Sequence, residues 1–421
     1  MIKLGSSQPR VNWEPEPDKP IEYKEKDGKK YRVILEGDED FSHIQSFTEK
    51  YKKGLLGKNK SLTMGLKKLN KYFGLRKQIM YCISGYSGSG KTSFVDNAFV
   101  LNPIEYLEAL KDKTNFHILY FSMERSKDYK IARWISRQIF INERDKDGKG
   151  IIIPLETILG WVNTATPEQQ VLIEKYFTYA NNLLDKYVTI FELPTNPTGI
   201  YKAVRTFALS RGVWEEVIIR KKTGYEYFKK IYTSNDPDEF IEVIIDTIQI
   251  AKPEKKDDKF MMSPKETMDK VLEYCRGFRD ELAYSPIIVS QNNRDIADSM
   301  RIKAGDVSPR LEDLLGTSSL ATDSEVVLAL FDCTRYKVPD PFGYDVGKLR
   351  EGVDNNNPGS LKYRSLSILK NSYGAENIGV GLAYQPETGI LMELPYKKYM
   401  TEEIYTSVLD NTYFLNFDLL S

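Results

Sequence analysis

The chain has 421 residues, 41% hydrophobic and 29% charged, which excludes disorder as its main state and provides for one large α/β domain with appendages or for two domains. Lysine plus arginine and aspartate plus glutamate both number 60, so nucleic-acid contact would have to come from local basic loops rather than a globally basic surface. Cys82, Cys275 and Cys333 lack metal-ligand spacing and read as buried thiols of a reducing compartment; no apolar run is long enough to span a bilayer, so no membrane partner is expected and the expected location is a cytoplasm.

In chain order, residues 1–39 are rich in Pro, Lys, Glu and Asp, with one strand-like run at 31–35 (YRVIL), and read as an arm. Over 40–56, Phe41, Ile44, Phe47, Tyr51 and Leu55 recur near the helical period, which predicts an amphipathic linker helix within 40–60. Its stripe either packs on its own globule or docks on a neighbouring subunit. Residues 61–400 read as the main domain. There, 78–84 (QIMYCIS), 117–121 (HILYF), 187–191 (YVTIF), 242–246 (EVIID), 285–290 (SPIIVS) and 325–331 (EVVLALF) are short apolar runs separated by helical or loop segments. That alternation predicts an α/β fold with a mainly parallel central sheet flanked by helices, binding ligands at the carboxyl ends of its strands. Around Lys222, Thr223 and Gly224, residues 214–239 predict an inserted hairpin, and 401–421 a tail with a short helical piece.

The run Gly85, Tyr86, Ser87, Gly88, Ser89, Gly90, Lys91, Thr92 fits G-x-x-x-x-G-K-[ST], a phosphate-binding P-loop, between an apolar strand and a helix-compatible segment opening at Ser93. Glycines let successive backbone N–H groups and the helix N-terminus face phosphates, Lys91 neutralises β- and γ-oxygens, and the Thr92 hydroxyl ligates Mg²⁺. An ordinary glycine-rich turn is the bland alternative, and the Lys-Thr pair after a predicted strand argues against it. Asp246 ends an apolar strand in the manner of a Walker B aspartate, a common ending on its own. Glu124 follows another strand, where a carboxylate can polarise a water for attack on the γ-phosphate or simply open a helix. Gln291 ends a third, as a γ-phosphate sensor or as a plain loop residue.

Taken together, the P-loop, FSME at 121–124, IIDTIQ at 244–249 and VSQNNR at 289–294 stand in the order and at the intervals seen in the RecA-like motor domain of DnaB-type hexameric replicative helicases, which the chain resembles. SLTMGLKKL at 61–69 is similar to the family's lead-in, and 311–330 to a further motif, so the likeness spans about 61–395. The resemblance implies a phage or mobile-element helicase working in a host cytoplasm, assembled as a homohexamer that uses ATP and Mg²⁺ and threads single-stranded DNA on two loops. One loop carries Lys252, Lys255, Lys256 and Lys259; the other runs from Arg294 and carries Arg301 and Lys303. For a single lysine of the first loop a solvated charge is the bland reading.

Only about sixty residues precede the motor, which argues against primase recruitment through an amino-terminal domain; a primase or a helicase loader is the further partner class the resemblance suggests. The family's K-x-R-x-G segment, whose lysine and arginine act on the neighbour's γ-phosphate, corresponds to Lys370, Asn371, Ser372, Tyr373 and Gly374. Ser372 stands where the arginine finger is expected, so Lys370, Arg364 or another arginine must take its part. Two other readings remain: a RecA-like recombinase or loader that binds DNA without unwinding, and a nucleotide-binding ring scaffold with impaired hydrolysis.

Overall fold

The computed structural model describes residues 22–35, 51, 61–192, 195–256, 260–293, 301, 303, 308–316, 318–352, 360–376 and 378–416. Apart from Tyr51, the helix expected over 40–60 lies outside them. Among the described residues the strands run β1 (Tyr23–Lys26), β2 (Lys29–Leu35), β3 (Tyr81–Gly85), β4 (Phe116–Ser122), β5 (Val188–Phe191), β6 (Gly212–Arg220), β7 (Glu226–Ser234) and β8 (Phe240–Asp246). They continue as β9 (Ser285–Gln291), β10 (Val326–Phe331), β11 (Arg350–Glu351), β12 (Ser360–Leu361), β13 (Tyr363–Asn371), β14 (Ile378–Gln385) and β15 (Ile390–Glu393). The chain divides into two compact units: Met1–Asn59 with Trp214–Thr233, and Lys60–Val213 with Ser234–Ser421.

In the larger unit the described strands form a nine-stranded sheet, ordered β15-β14-β13-β10-β3-β9-β8-β4-β5. From β10 to β5 every neighbouring pair is parallel. This is the mainly parallel sheet the apolar runs foretell, because strands covered on both faces read as continuous hydrophobic segments; β3, β4, β8 and β10 are buried throughout. The antiparallel β13, β14 and β15 extend it beyond what those runs predict. Short turns join them, as antiparallel pairing permits and parallel crossover does not.

Helices pack on this sheet with legible start signals. After β3, α1 (Lys91–Val95) runs through a π-helical stretch, Asp96–Leu101, into α2 (Asn102–Leu110). Ser126 caps α3 (Lys127–Asn142), its side chain accepting from the Tyr129 N–H. Before α4 (Pro264–Leu282), Ser263 and Glu266 form a capping box with proline in the first turn. One core cluster joins Phe94 and Phe99, Trp134 of α3, and Tyr120, Ile244, Val289 and Leu328 of the strands, so the strand ends are held in a fixed frame.

The smaller unit is a four-stranded sheet, β1-β2-β6-β7. Here the arm's strand pairs in parallel with the inserted hairpin, Val33 beside Ile218 and Ile34 beside Ile219. Gly224, at φ +83°, turns the hairpin in a conformation other residues adopt only with strain, and the Lys221 N–H donates to the Tyr225 carbonyl at 2.8 Å. Arg32 pairs with Glu215 at 2.9 Å, and Arg220 with both Glu22 and Glu226 at 2.8 Å.

Glu242, within β8, is fully buried and neither carboxylate oxygen has a hydrogen-bond partner. Burial pushes its pKa well above the ordinary carboxylate range. The folded chain thus keeps a proton that the unfolded chain releases near pH 4.3, and this group subtracts stability as pH rises past that point. Glu242→Met is expected to stabilise the protein at pH 7 by about 1–3 kcal/mol. Thermal melts would show a gain that shrinks towards pH 4; a gain independent of pH would contradict the assignment.

Candidate active site

Strand order and register assemble the site. β3 lies between β9 and β10, Gly85 stands opposite both Gln291 and Leu330, and Asp246 stands opposite Ser122 at the end of β4. All these positions are carboxyl ends of parallel strands, where α/β sheets bind ligands. A side chain at Gly85 would put its Cβ 2.6 Å from the Leu330 carbonyl oxygen, so only glycine lets the loop leave the sheet here. Gly90, left-handed at φ +92°, caps α1, leaving the N–H groups of Lys91, Thr92 and Ser93 in the unpaired first turn of a helix.

Two arginines brace the loop from its far side. Arg335 donates to the Ser87 carbonyl, and the buried Arg364 donates from Nε to the Ser89 carbonyl at 3.1 Å while lying 4.7 Å over the Tyr384 ring. With these carbonyls held, the loop's N–H groups are left for an anion. Arg364, a substitute finger on sequence alone, therefore serves the P-loop of its own chain.

Lys91 is 9% exposed, and its ammonium donates to the carbonyls of Gly85 and Tyr86, each at 2.9 Å. Burial lowers its pKa from 10.5 to about 8, against the opposite pull of Asp246 and Glu124. The Thr92 hydroxyl is 3.1 and 3.3 Å from the two Asp246 carboxylate oxygens. This hydroxyl and carboxylate suit Mg²⁺, a hard cation that takes few protein oxygens and keeps waters or phosphate oxygens for the rest. Consistently, the described residues hold no cluster of three or more His, Cys, Asp or Glu able to bind a metal alone.

Behind the pair lies a buried network that no sequence motif announces. Lys130 of α3, wholly inaccessible, sits 2.9 Å from Asp96 and 3.3 Å from Asp246. Tyr120 donates its hydroxyl towards each of these carboxylates at 3.0 Å, and Lys130 donates to Tyr120. One ammonium thus balances two buried carboxylates, one of them the metal candidate. Removing it leaves both without a cation, a situation that costs about 3–5 kcal/mol for a buried pair. Lys130→Met is expected to lower the melting temperature by several degrees, with part of the loss restored by millimolar Mg²⁺; a melt unaffected by the substitution would contradict this placement.

Glu124 lies just past β4, 41% exposed at its side chain, with Arg125 at 3.9 Å. It lines a cleft of about 230 Å³ together with Ser87, Lys91, Thr92, Asp246 and Gln291. The Gln291 N–H donates to Gln249 Oε1 at 3.2 Å, and Gln249 Nε2 donates to Ser290 Oγ at 2.8 Å and to the Leu315 carbonyl at 3.3 Å. Gln249 therefore ties the turn after β8 to the end of β9. Its glutamine is visible in the IIDTIQ motif, but its partners are not.

The other expected residues lie elsewhere. Lys370 faces Val327, at the opposite end of the sheet from Gly85, and donates to the carbonyls of Ala321 and Thr322 at 2.8 and 3.0 Å. Ser372 is exposed beside Tyr373, over whose ring Arg76 lies at 5.7 Å. Arg301 is held by Asp313 at 2.6 Å, and Lys256 by Glu266 at 2.6 Å. Lys252, Lys255 and Lys303 are exposed, whereas Arg294 and Lys259 lie outside the described residues. No described helix is long and apolar enough to cross a membrane.

No protein-family model matches the chain, and no curated protein matches it by sequence. Among solved structures it is similar to a helicase ATPase domain, at 16% identity and a TM-score of 0.57, covering 85% of this chain and 98% of that one. It is also similar to a DnaB-like replicative helicase studied with its primase interactions, at 17% identity and a TM-score of 0.53, covering 80% of this chain and 64% of that one. The RadB recombinase follows at 11% identity and a TM-score of 0.39. The fold is thus that of the RecA-like ATPase domain of DnaB-type helicases.

Proposed function

We infer that this RecA-like chain is an ATP-driven DNA helicase, translocating on single-stranded DNA as a homohexameric ring and unwinding duplex DNA. The observation that carries the reading is the gathering of Lys91, the Thr92–Asp246 pair, Glu124 and Gln291 into one cleft at the carboxyl ends of adjacent strands. The similarity to helicase ATPase domains supports it at the level of fold.

The N–H groups of the loop and of α1 bind the triphosphate, and Lys91 exchanges its two carbonyl contacts for phosphate oxygens. Thr92 and Asp246 would hold Mg²⁺, which supplies charge neutralisation at the β- and γ-phosphates. Glu124, free of a close ion pair, orients a water and accepts its proton as the oxygen attacks. Gln291 meets the γ-phosphate, and the Gln249 bridge passes its position to the turn after β8 and to Leu315. Exposed Lys252, Lys255 and Lys303 stand on the loops that would meet DNA phosphates. A primase or loader would act on such a ring.

The scaffold reading is favoured by one observation: Ser372 occupies the finger position and Lys370 is engaged with carbonyls of its own chain. Hydrolysis measured with and without single-stranded DNA separates the two. Stimulated turnover supports the motor; an intact ring that binds ATP and does not hydrolyse it establishes the scaffold.

A further inference from the structure

The four-stranded sheet of arm and hairpin plays no part in the nucleotide site, yet its chemistry is distinctive. Residues 22–35 carry five lysines and arginines against three acids, and residues 214–233 again five against three. Ten against six leaves an excess of four positive charges here, in a chain whose totals are equal at 60. Three of the acids are already held by Arg32, Arg220 and Lys24. Among the described residues no carboxylate pairs with Lys26, Lys29 or Lys230, all exposed.

Those three lysines share one face with a set of aromatic rings. Lys26 stands opposite Lys29 in register, and alternation places Tyr31 on that face as well. Tyr31 meets Phe228 edge to face at 5.0 Å, and Lys26 lies 4.7 Å over the Phe228 ring. Lys230 and Tyr232 follow Phe228 at the same parity, and Tyr232 contacts Trp214 at 5.5 Å. Phe228 is 41% exposed.

We propose that this face is a second binding site for single-stranded nucleic acid, separate from the motor's own loops. Unpaired bases stack on Phe228 and Tyr31, and successive phosphates meet Lys26, Lys29 and Lys230, the combination of cations and π-faces that grips a strand irrespective of sequence. A duplex keeps its bases stacked on each other and gains only the charge contacts. An added protein strand is disfavoured because the edge strands β1 and β7 are lined with exposed lysines, which resist edge-to-edge pairing. The site goes beyond the motor reading, since its grip needs no nucleotide.

The test uses the full chain without nucleotide, titrated against labelled oligothymidylate by fluorescence anisotropy over a salt series. Phe228→Ala is expected to weaken binding roughly five-fold or more with little change of salt slope. The Lys26→Gln, Lys29→Gln, Lys230→Gln triple variant is expected to flatten the slope of log affinity against log salt by about two. Both keep DNA-independent ATP hydrolysis, and Lys91→Ala keeps the sheet-dependent share of affinity, so failure of the motor reading and failure of this one are distinguishable. Hydrogen exchange on the unsubstituted protein guards against a folding artefact: the oligonucleotide should slow exchange in β1, β2 and β7. Wild-type affinity and slope in both variants, no added protection in the sheet, or an equal sheet-dependent share for duplex would each overturn the proposal.

Discussion

Lys91→Ala is expected to weaken ATP binding by about 10²- to 10³-fold, the range for truncating one partner of a buried, hydrogen-bonded charge pair, and to abolish hydrolysis at ordinary ATP concentrations. The cause lies in the loop's geometry. The ammonium is enclosed by the P-loop and touches only two carbonyls, so nothing else in the cleft reaches the same phosphate oxygens. The same burial gives a pH signature. With its pKa lowered from 10.5 to about 8, the folded group loses its proton while the unfolded chain still holds one; stability from this group therefore rises between those values, while nucleotide affinity falls because phosphate needs the charged form. Isothermal titration of wild-type protein should show affinity declining above pH 8, at most ten-fold per unit, and Lys91→Ala should lack that decline. An alanine variant binding ATP as wild type does would remove Lys91 from the site.

Glu124→Gln is expected to leave ATP affinity within about two-fold and to lower turnover by about 10²- to 10⁴-fold, the usual share of a positioned general base. Glutamine keeps the size and the hydrogen-bonding edge of the side chain but cannot accept the proton. The split between binding and turnover is the informative part: Glu124 lines the cleft and makes no contact with the loop that holds phosphate, so its loss should be confined to the chemical step. Binding by fluorescence titration together with single-turnover hydrolysis would show this. Normal turnover would place the base elsewhere.

What the sequence disclosed follows the distance over which each feature is encoded. The P-loop is eight consecutive residues with a strand before and a helix after, so local spacing suffices. Asp246, Glu124 and Gln291 stand out because strands buried on both faces read as apolar runs whose polar ends are conspicuous. Lys130 does not, since a lysine in α3 reads as solvated until α3 closes over Asp96, 34 residues away, and Asp246, 116 residues away. Arg335 and Arg364 are hidden in the same way, each meeting the loop from far along the chain. The antiparallel β13 and β14 mix serine, glycine and lysine with apolar residues and offer no continuous run. The arm and the hairpin are each visible as β-prone, but their pairing joins Val33 to Ile218, which no local pattern encodes. Arg301, which on sequence alone faces DNA, is held by Asp313, a partner that only the fold brings near.

Unwinding of a forked duplex with ATP and Mg²⁺ tests the motor most directly. Strand separation that requires ATP and is lost in Glu124→Gln is the expected result; a wild-type protein that hydrolyses ATP at a rate indifferent to single-stranded DNA and leaves the fork paired would contradict it.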